Sequence, residues 1–205
     1  WYPFTAPSAV GWTRTGAAPT FPGTGAFRMP ITGQVYWTRT FGTAPPDDGL
    51  VVHFELATSV TSATTAAPTL GVNVICGDGS VADLNLQCRF ANGEIGIYDA
   101  NASLAVVGTI AIDCTVRRVY RLAVRYTGAG NNVTLYGRDA GSEYWRRLIT
   151  GPLTRNTTTP QSSQVVWGNH ATGQTSEWYF CGATQQDGFG IGNATTDSLA
   201  NGLVI

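Results

Sequence analysis

Leu84-Asn85-Leu86-Gln87-Cys88-Arg89-Phe90-Ala91-Asn92-Gly93-Glu94-Ile95-Gly96-Ile97-Tyr98-Asp99 is the stretch that decides the fold. Leu84, Leu86, Cys88 and Phe90 are apolar, while Asn85, Gln87 and Arg89 between them are polar. That period of two is the mark of an extended chain, whose successive side chains leave on opposite faces. Asn92-Gly93 follows, a pair that tolerates the positive φ a two-residue type I′ turn demands at both central positions. Closing the ribbon there sets Phe90 opposite Ile95 and Cys88 opposite Ile97, so apolar residues meet on one hidden face.

The neighbouring segments agree on a hidden face. Val72, Val74 and Cys76 lead into Gly77-Asp78-Gly79-Ser80. A five-residue loop there pairs Val74 with Leu84 and Val72 with Leu86, and puts Cys76 against Ala82, beyond disulfide reach of Cys88. Further on, Tyr120, Leu122, Val124 and Tyr126 alternate with Arg121, Ala123 and Arg125. A hairpin through Thr127–Asn132 turns Val133 and Leu135 inward and Thr134, Tyr136 and Arg138 outward, with Arg121 opposite Arg138. Gln34–Phe41, Leu50–Leu56, Tyr144–Ile149, Gln164–Asn169 and Ser176–Cys181 read as further strands. Residues 1–30, rich in Pro, Gly and aromatics, read as an extended lead-in with one or two short strands that packs on a single domain over 31–205. No window carries a helical period. The expectation is an all-β chain, an antiparallel two-sheet β-sandwich of the jelly-roll kind.

Composition narrows the function classes. Of 205 residues, 43% are apolar, enough for a substantial core, and only 12% are charged, about half the usual share. A net charge of −1 offers no global attraction to a polyanion, and no nucleic-acid motif is present, so nucleic acid is not an expected partner. The longest apolar runs fall short of the roughly 20 residues a spanning helix needs, and no membrane partner is expected. The chain opens on Trp1 rather than Met, which leads us to expect a piece of something longer. Cys76, Cys88, Cys114 and Cys181 show no metal-ligand spacing; their place in strand-like runs favours buried thiols over a disulfide framework.

The succession Val51–Leu56, Leu84–Asp99, Tyr120-Arg121-Leu122-Ala123-Val124, Asn132–Tyr136, Val165-Val166-Trp167-Gly168 and Ser176-Glu177-Trp178-Tyr179-Phe180 resembles a laminin-G-like or concanavalin A-like jelly roll. The resemblance spans about two thirds of the chain in order. Modules of that type occur in bacteriophage tail and fibre proteins and in secreted bacterial proteins, as adhesive, carbohydrate-binding or scaffold units. The aromatic opening and the Thr/Ala/Gly-rich loops look like a phage structural protein. The resemblance also admits calcium held by loop oxygens. However, Asp47, Asp48 and Asp78 lack the density of a calcium loop and suit turn formation, so no metal or cofactor is predicted.

No constellation for catalysis stands out. Glycoside cleavage needs two carboxyls flanking the bond, yet Glu55 stands alone and Glu94 and Asp99 differ in strand parity. Glu55 is expected to be a hydrogen-bonded polar residue of its strand. Two histidines, His53 and His170, have no nucleophile motif beside them. Arginine placement is more informative, because Arg117, Arg118, Arg121, Arg125, Arg138, Arg146, Arg147 and Arg155 crowd one region against Asp139 and Glu143 alone. A partner-contact face of Arg121, Arg125, Tyr136 and Arg138, meeting an acidic subunit or an anionic glycan, competes there with simple solvation of the charges. Asn131, Asn132, Asn169 and His170 are the loop residues expected to touch a ligand.

The leading expectation from sequence is therefore a non-enzymatic structural or host-attachment (adhesion) module of a bacteriophage virion, from a tail, baseplate or fibre. Its partners would be other virion subunits, as a homo-oligomer, and host cell-surface glycan. The alternative is a secreted lectin-like carbohydrate-binding module. Either reading places the chain on a virion or outside the cell.

Overall fold

The structure is a computed structural model, and it describes residues 13–16, 27–28, 35–41, 50–58, 70–77, 82–91, 93–125, 132–156, 162–169 and 176–185. Among the described residues thirteen strands run in chain order: β1 (Thr13–Gly16), β2 (Phe27–Arg28), β3 (Val35–Phe41), β4 (Leu50–Thr58), β5 (Leu70–Gly77), β6 (Ala82–Ala91), β7 (Glu94–Asp99), β8 (Ala105–Ala111), β9 (Arg118–Arg125), β10 (Asn132–Asp139), β11 (Arg146–Pro152), β12 (Ser162–Asn169) and β13 (Ser176–Gln185). They form a seven-stranded sheet, β1-β3-β12-β5-β6-β7-β8, and a six-stranded sheet, β11-β10-β9-β4-β13-β2. Every pairing is antiparallel. The chain is the all-β, two-sheet sandwich that alternation predicts. The two short strands of the lead-in each form an edge, β1 of the larger sheet and β2 of the smaller.

The core lies between the sheets, where the predicted apolar faces meet. Leu86, Phe90, Leu122 and Val124 are wholly buried. At the centre Phe54, Phe90 and Tyr120, from β4, β6 and β9, pack as an aromatic trio: Phe54 stacks on Tyr120 at 5.3 Å between centroids, and Phe90 meets Tyr120 edge-on at 5.1 Å. Trp37 and Trp167 are partners across β3 and β12 and stack at 4.7 Å with only 11° between their planes. Cys88 and Cys114 are free, buried thiols; burial raises both above their ordinary range, Cys114 to about 11.

The Asn92-Gly93 ribbon has the predicted register, Phe90 with Ile95 and Cys88 with Ile97, and Gly93 takes a positive φ of 72°. Two other hairpins keep their predicted faces but differ in register. Val74 pairs with Leu86, Val72 with Cys88 and Cys76 with Leu84, so each β6 partner lies two residues on from the expected one. Arg121 lies opposite Tyr136, and Arg138 opposite Val119; the like-charge opposition of Arg121 and Arg138 does not occur. A slip of two residues preserves which side is apolar, and alternation alone therefore cannot choose between such registers. β8, Ala105–Ala111, is a strand that its small, weakly alternating residues did not announce.

Candidate functional site

Alternation that buries one face of the seven-stranded sheet must present the other. Since Val35, Trp37, Val74, Cys88, Phe90, Ile95, Ile97, Val165 and Trp167 face the core, the residues between them face outward. The registers then line up Tyr36, Gly168, Gly71, Arg89, Gly96 and Thr109 in one row across six strands. The next row reads Thr38, Val166, Asn73, Gln87, Tyr98 and Val106, and a third carries Thr40, Gln164, Ile75 and Asn85.

The first row has an uneven profile. Gly168, which is buried, and Gly71 are adjacent and carry no side chain, and they separate half-buried Tyr36 from buried Arg89. Three strand spacings separate those two residues, about 14 Å. Glycine inside a strand weakens it and is characteristically found where something approaches the backbone closely. At Gly168 the backbone requires it, because φ is 137° and an added Cβ would lie 2.4 Å from the Val35 carbonyl oxygen.

Arg89 is fixed on the near side of this step. Its Nε and Nη2 donate to Gln87 Oε1 at 3.0 and 2.5 Å, and its guanidinium carbon sits 4.5 Å above the centre of the Tyr98 ring. Tyr98 can lie there because Gly96 beneath it has no side chain; a Cβ at that position would come 2.6 Å from Tyr98 Cε2. Burial draws the Arg89 guanidinium below its ordinary value, and Tyr98 opposes the shift. Gln164 Nε2 and Thr40 Oγ1 are 3.3 Å apart on the same face. Guanidinium, amides and hydroxyls on this face can hydrogen-bond a hydroxyl-rich ligand.

The predicted arginine face lies on the other sheet. One outward row of the six-stranded sheet reads Gly182, His53, Arg121, Tyr136 and Arg147. Arg121 and Tyr136 are both buried, and Tyr136 offsets part of the penalty burial imposes on the Arg121 charge. Arg138 sits 5.1 Å over the Trp145 ring, and Trp145 packs on Val51, Ala123 and Tyr136. The Nε atoms of Arg125 and Arg138 are buried and have no partner among the described residues. Burial first and the Arg121 charge second hold His53 down to about 4, a neutral imidazole at ordinary pH. Glu55, buried, accepts a charged hydrogen bond from Arg117 Nε, the structural role its sequence context suggested.

The loop candidates divide. Asn132 opens β10 opposite Arg125 and is exposed. Asn169 ends β12 opposite Val35 and Leu70. Asn132 belongs to the end of the sandwich where Asp99 meets Thr154, and Asn169 to the end that carries the Ala91–Glu94 turn, so the two do not share a site. Asn131 and His170 lie outside the described residues, as do Asp47, Asp48 and Asp78. Among the described residues no three His, Cys, Asp or Glu side chains group where a metal ion could sit. The Tyr36–Arg89 surface was not singled out from sequence, although Gly71, Gly96 and Gly168 at outward strand positions were a usable signal.

No family model matches the chain, and no curated protein matches it. Solved structures do resemble it. The exoplasmic/lumenal domain of VIP36, in a Ca2+/Man-bound form, superposes with a TM-score of 0.52 at 13% identity, covering 86% of this chain and 84% of that one. The carbohydrate recognition domain of Emp46p, potassium-bound, gives 0.52 at 11% identity over 86% of this chain and 89% of that one. Lectin I-B4 from Griffonia simplicifolia, metal-free, gives 0.56 at 10% identity over 88% and 96%. At such identities the likeness speaks to architecture alone: this chain has the β-sandwich of the legume-lectin-like, concanavalin A-like domains.

Proposed function

We propose that the chain is a lectin-like carbohydrate-binding module, and that a glycan lies across the outer face of the seven-stranded sheet, over the Gly168–Gly71 step between Tyr36 and Arg89. The observation that carries this reading is the pair of adjacent outward glycines flanked by an aromatic residue and an immobilised guanidinium. Lectins among its structural neighbours support it. They favour the carbohydrate-binding alternative over the virion-module expectation, for which the structure supplies no specific observation. Binding is also a better match than cleavage, because no carboxylate stands in the three central rows of that face, and glycoside hydrolysis calls for two.

The test is a broad glycan array followed by backbone amide shift mapping with a glycan that binds. Shifts centred on Gly71, Arg89 and Gly168 are expected. Shifts confined to residues 131–132 or 169–170 would move the site to the loops, and silence across the array would overturn the reading.

A further inference from the structure

We infer that Arg89 makes this surface selective for acidic sugars, those bearing a carboxylate such as a uronic acid residue of a polysaccharide. The inference rests on the glycan-binding reading above and adds the ligand's charge.

Arg89 is 8% exposed and sits mid-row on an outward face. The described ion pairs lie elsewhere, Arg117 with Glu55 and Arg118 with Asp139. Two of its donors converge on one neutral oxygen, Gln87 Oε1, and Nη1 makes no hydrogen bond to the described residues. A guanidinium withdrawn from water without a counter-charge is costly, and an arriving carboxylate recovers that cost in a way a hydroxyl cannot. The geometry is set in advance. Tyr98 supports the guanidinium plane from below and Gln87 holds its near edge, so little side-chain entropy is lost on binding. Planar guanidinium and planar carboxylate are matched partners. Beside Arg89 in the row is Gly71, with no side chain to occupy the space. Nothing in the three central rows repels an anion; the nearest carboxylate of this face is exposed Glu94, one row further towards the turn end of β7, opposite Ala91.

The experiment is an array of matched glycans, each neutral member printed beside its carboxylate-bearing and its sulfated counterpart, probed with the full chain, Arg89→Gln and Arg89→Lys. The wild type should prefer carboxylate members by about tenfold or more, the scale of a charged hydrogen bond. The preference should shrink as salt rises, vanish in R89Q and survive in part in R89K, which also serves if R89Q does not fold. Neutral glycans bound without acid preference, or a preference intact in folded R89Q, would overturn the inference while leaving carbohydrate binding in place. A preference for sulfated members would overturn the carboxylate assignment. No binding to any member would overturn both.

Discussion

Gly108 of β8 lies against Ile149 of β11, so closely that a Cβ on the glycine would come 2.8 Å from Ile149 Cγ2. The contact is reciprocated: a Cβ on Gly151 would come 2.5 Å from Val107 Cγ1. β8 ends the larger sheet and β11 the smaller, so these two glycines let the sheet edges close over the core. Neither Ile149 nor Val107 can swing aside freely, since both are β-branched. Gly108→Ala and Gly151→Ala should each destabilise by about 1–3 kcal/mol, read from urea midpoints at unchanged slope. A midpoint equal to wild type would show that the seam is loose.

Asp99 secures the same end of the sandwich. Its Oδ1 accepts from the Asn101 amide at 3.0 Å and its Oδ2 from the Thr154 amide at 2.5 Å, tying the β7–β8 turn to the chain leaving β11. That turn needs support, because Ser103 and Leu104 both take positive φ, 56° and 62°. Asp99→Ala strands two amide donors in a part-buried place and should cost about 1 kcal/mol. Hydrogen exchange should accelerate locally at Asn101 and Thr154; uniform protection would contradict the account.

The aromatic trio should dominate the core. Phe90 is fully buried between Phe54 and Tyr120, so Phe90→Ala removes a large apolar group from a site both sheets build. A loss of about 3–5 kcal/mol is expected in equilibrium unfolding, against a smaller loss for Phe90→Leu or Phe90→Met, which leave a smaller cavity; equal losses would contradict the trio's role.

His53 gives the fold an acid sensitivity with a defined sign. Its folded value is depressed from 6.5 to about 4, so between those pH values the unfolded chain binds the proton and the folded chain does not. Stability from this group is present above pH 6.5 and lost as pH falls towards 4, by roughly 3 kcal/mol at most. His53→Gln should flatten that part of the stability–pH curve. An identical acid limb in the variant would assign the effect to other groups.

How much of this was legible in the sequence depended on what fixes each feature. Faces were legible wherever residues alternate, because side-chain parity follows from alternation; Leu86, Phe90, Leu122 and Val124 are all where parity puts them. Register was legible only where the turn was. Asn92-Gly93 leaves a single closure, whereas the longer β5–β6 and β9–β10 connections allow two-residue slips that keep Val74 and Leu135 inward at no cost in pattern. The arginine face consequently looked more conflicted than it is, and Arg121 finds Tyr136 instead of Arg138. Arg89 and Gln87 were visibly outward, but their setting depends on strand order. Gly71 meets Arg89 through the β5–β6 hairpin, but Gly168 and Tyr36 reach the same row only because β12 inserts between β3 and β5, a long-range pairing that no local pattern encodes.

Gly71→Val tests the central claim most directly, because it places a branched side chain on the outward floor without altering a charge or a polar group. Calorimetric titration with a glycan that binds the wild type should show affinity reduced at least about tenfold, with the variant still folded by its thermal transition. Unchanged affinity in a folded G71V protein would contradict the account, for it would mean that the glycan does not cross the step between Tyr36 and Arg89.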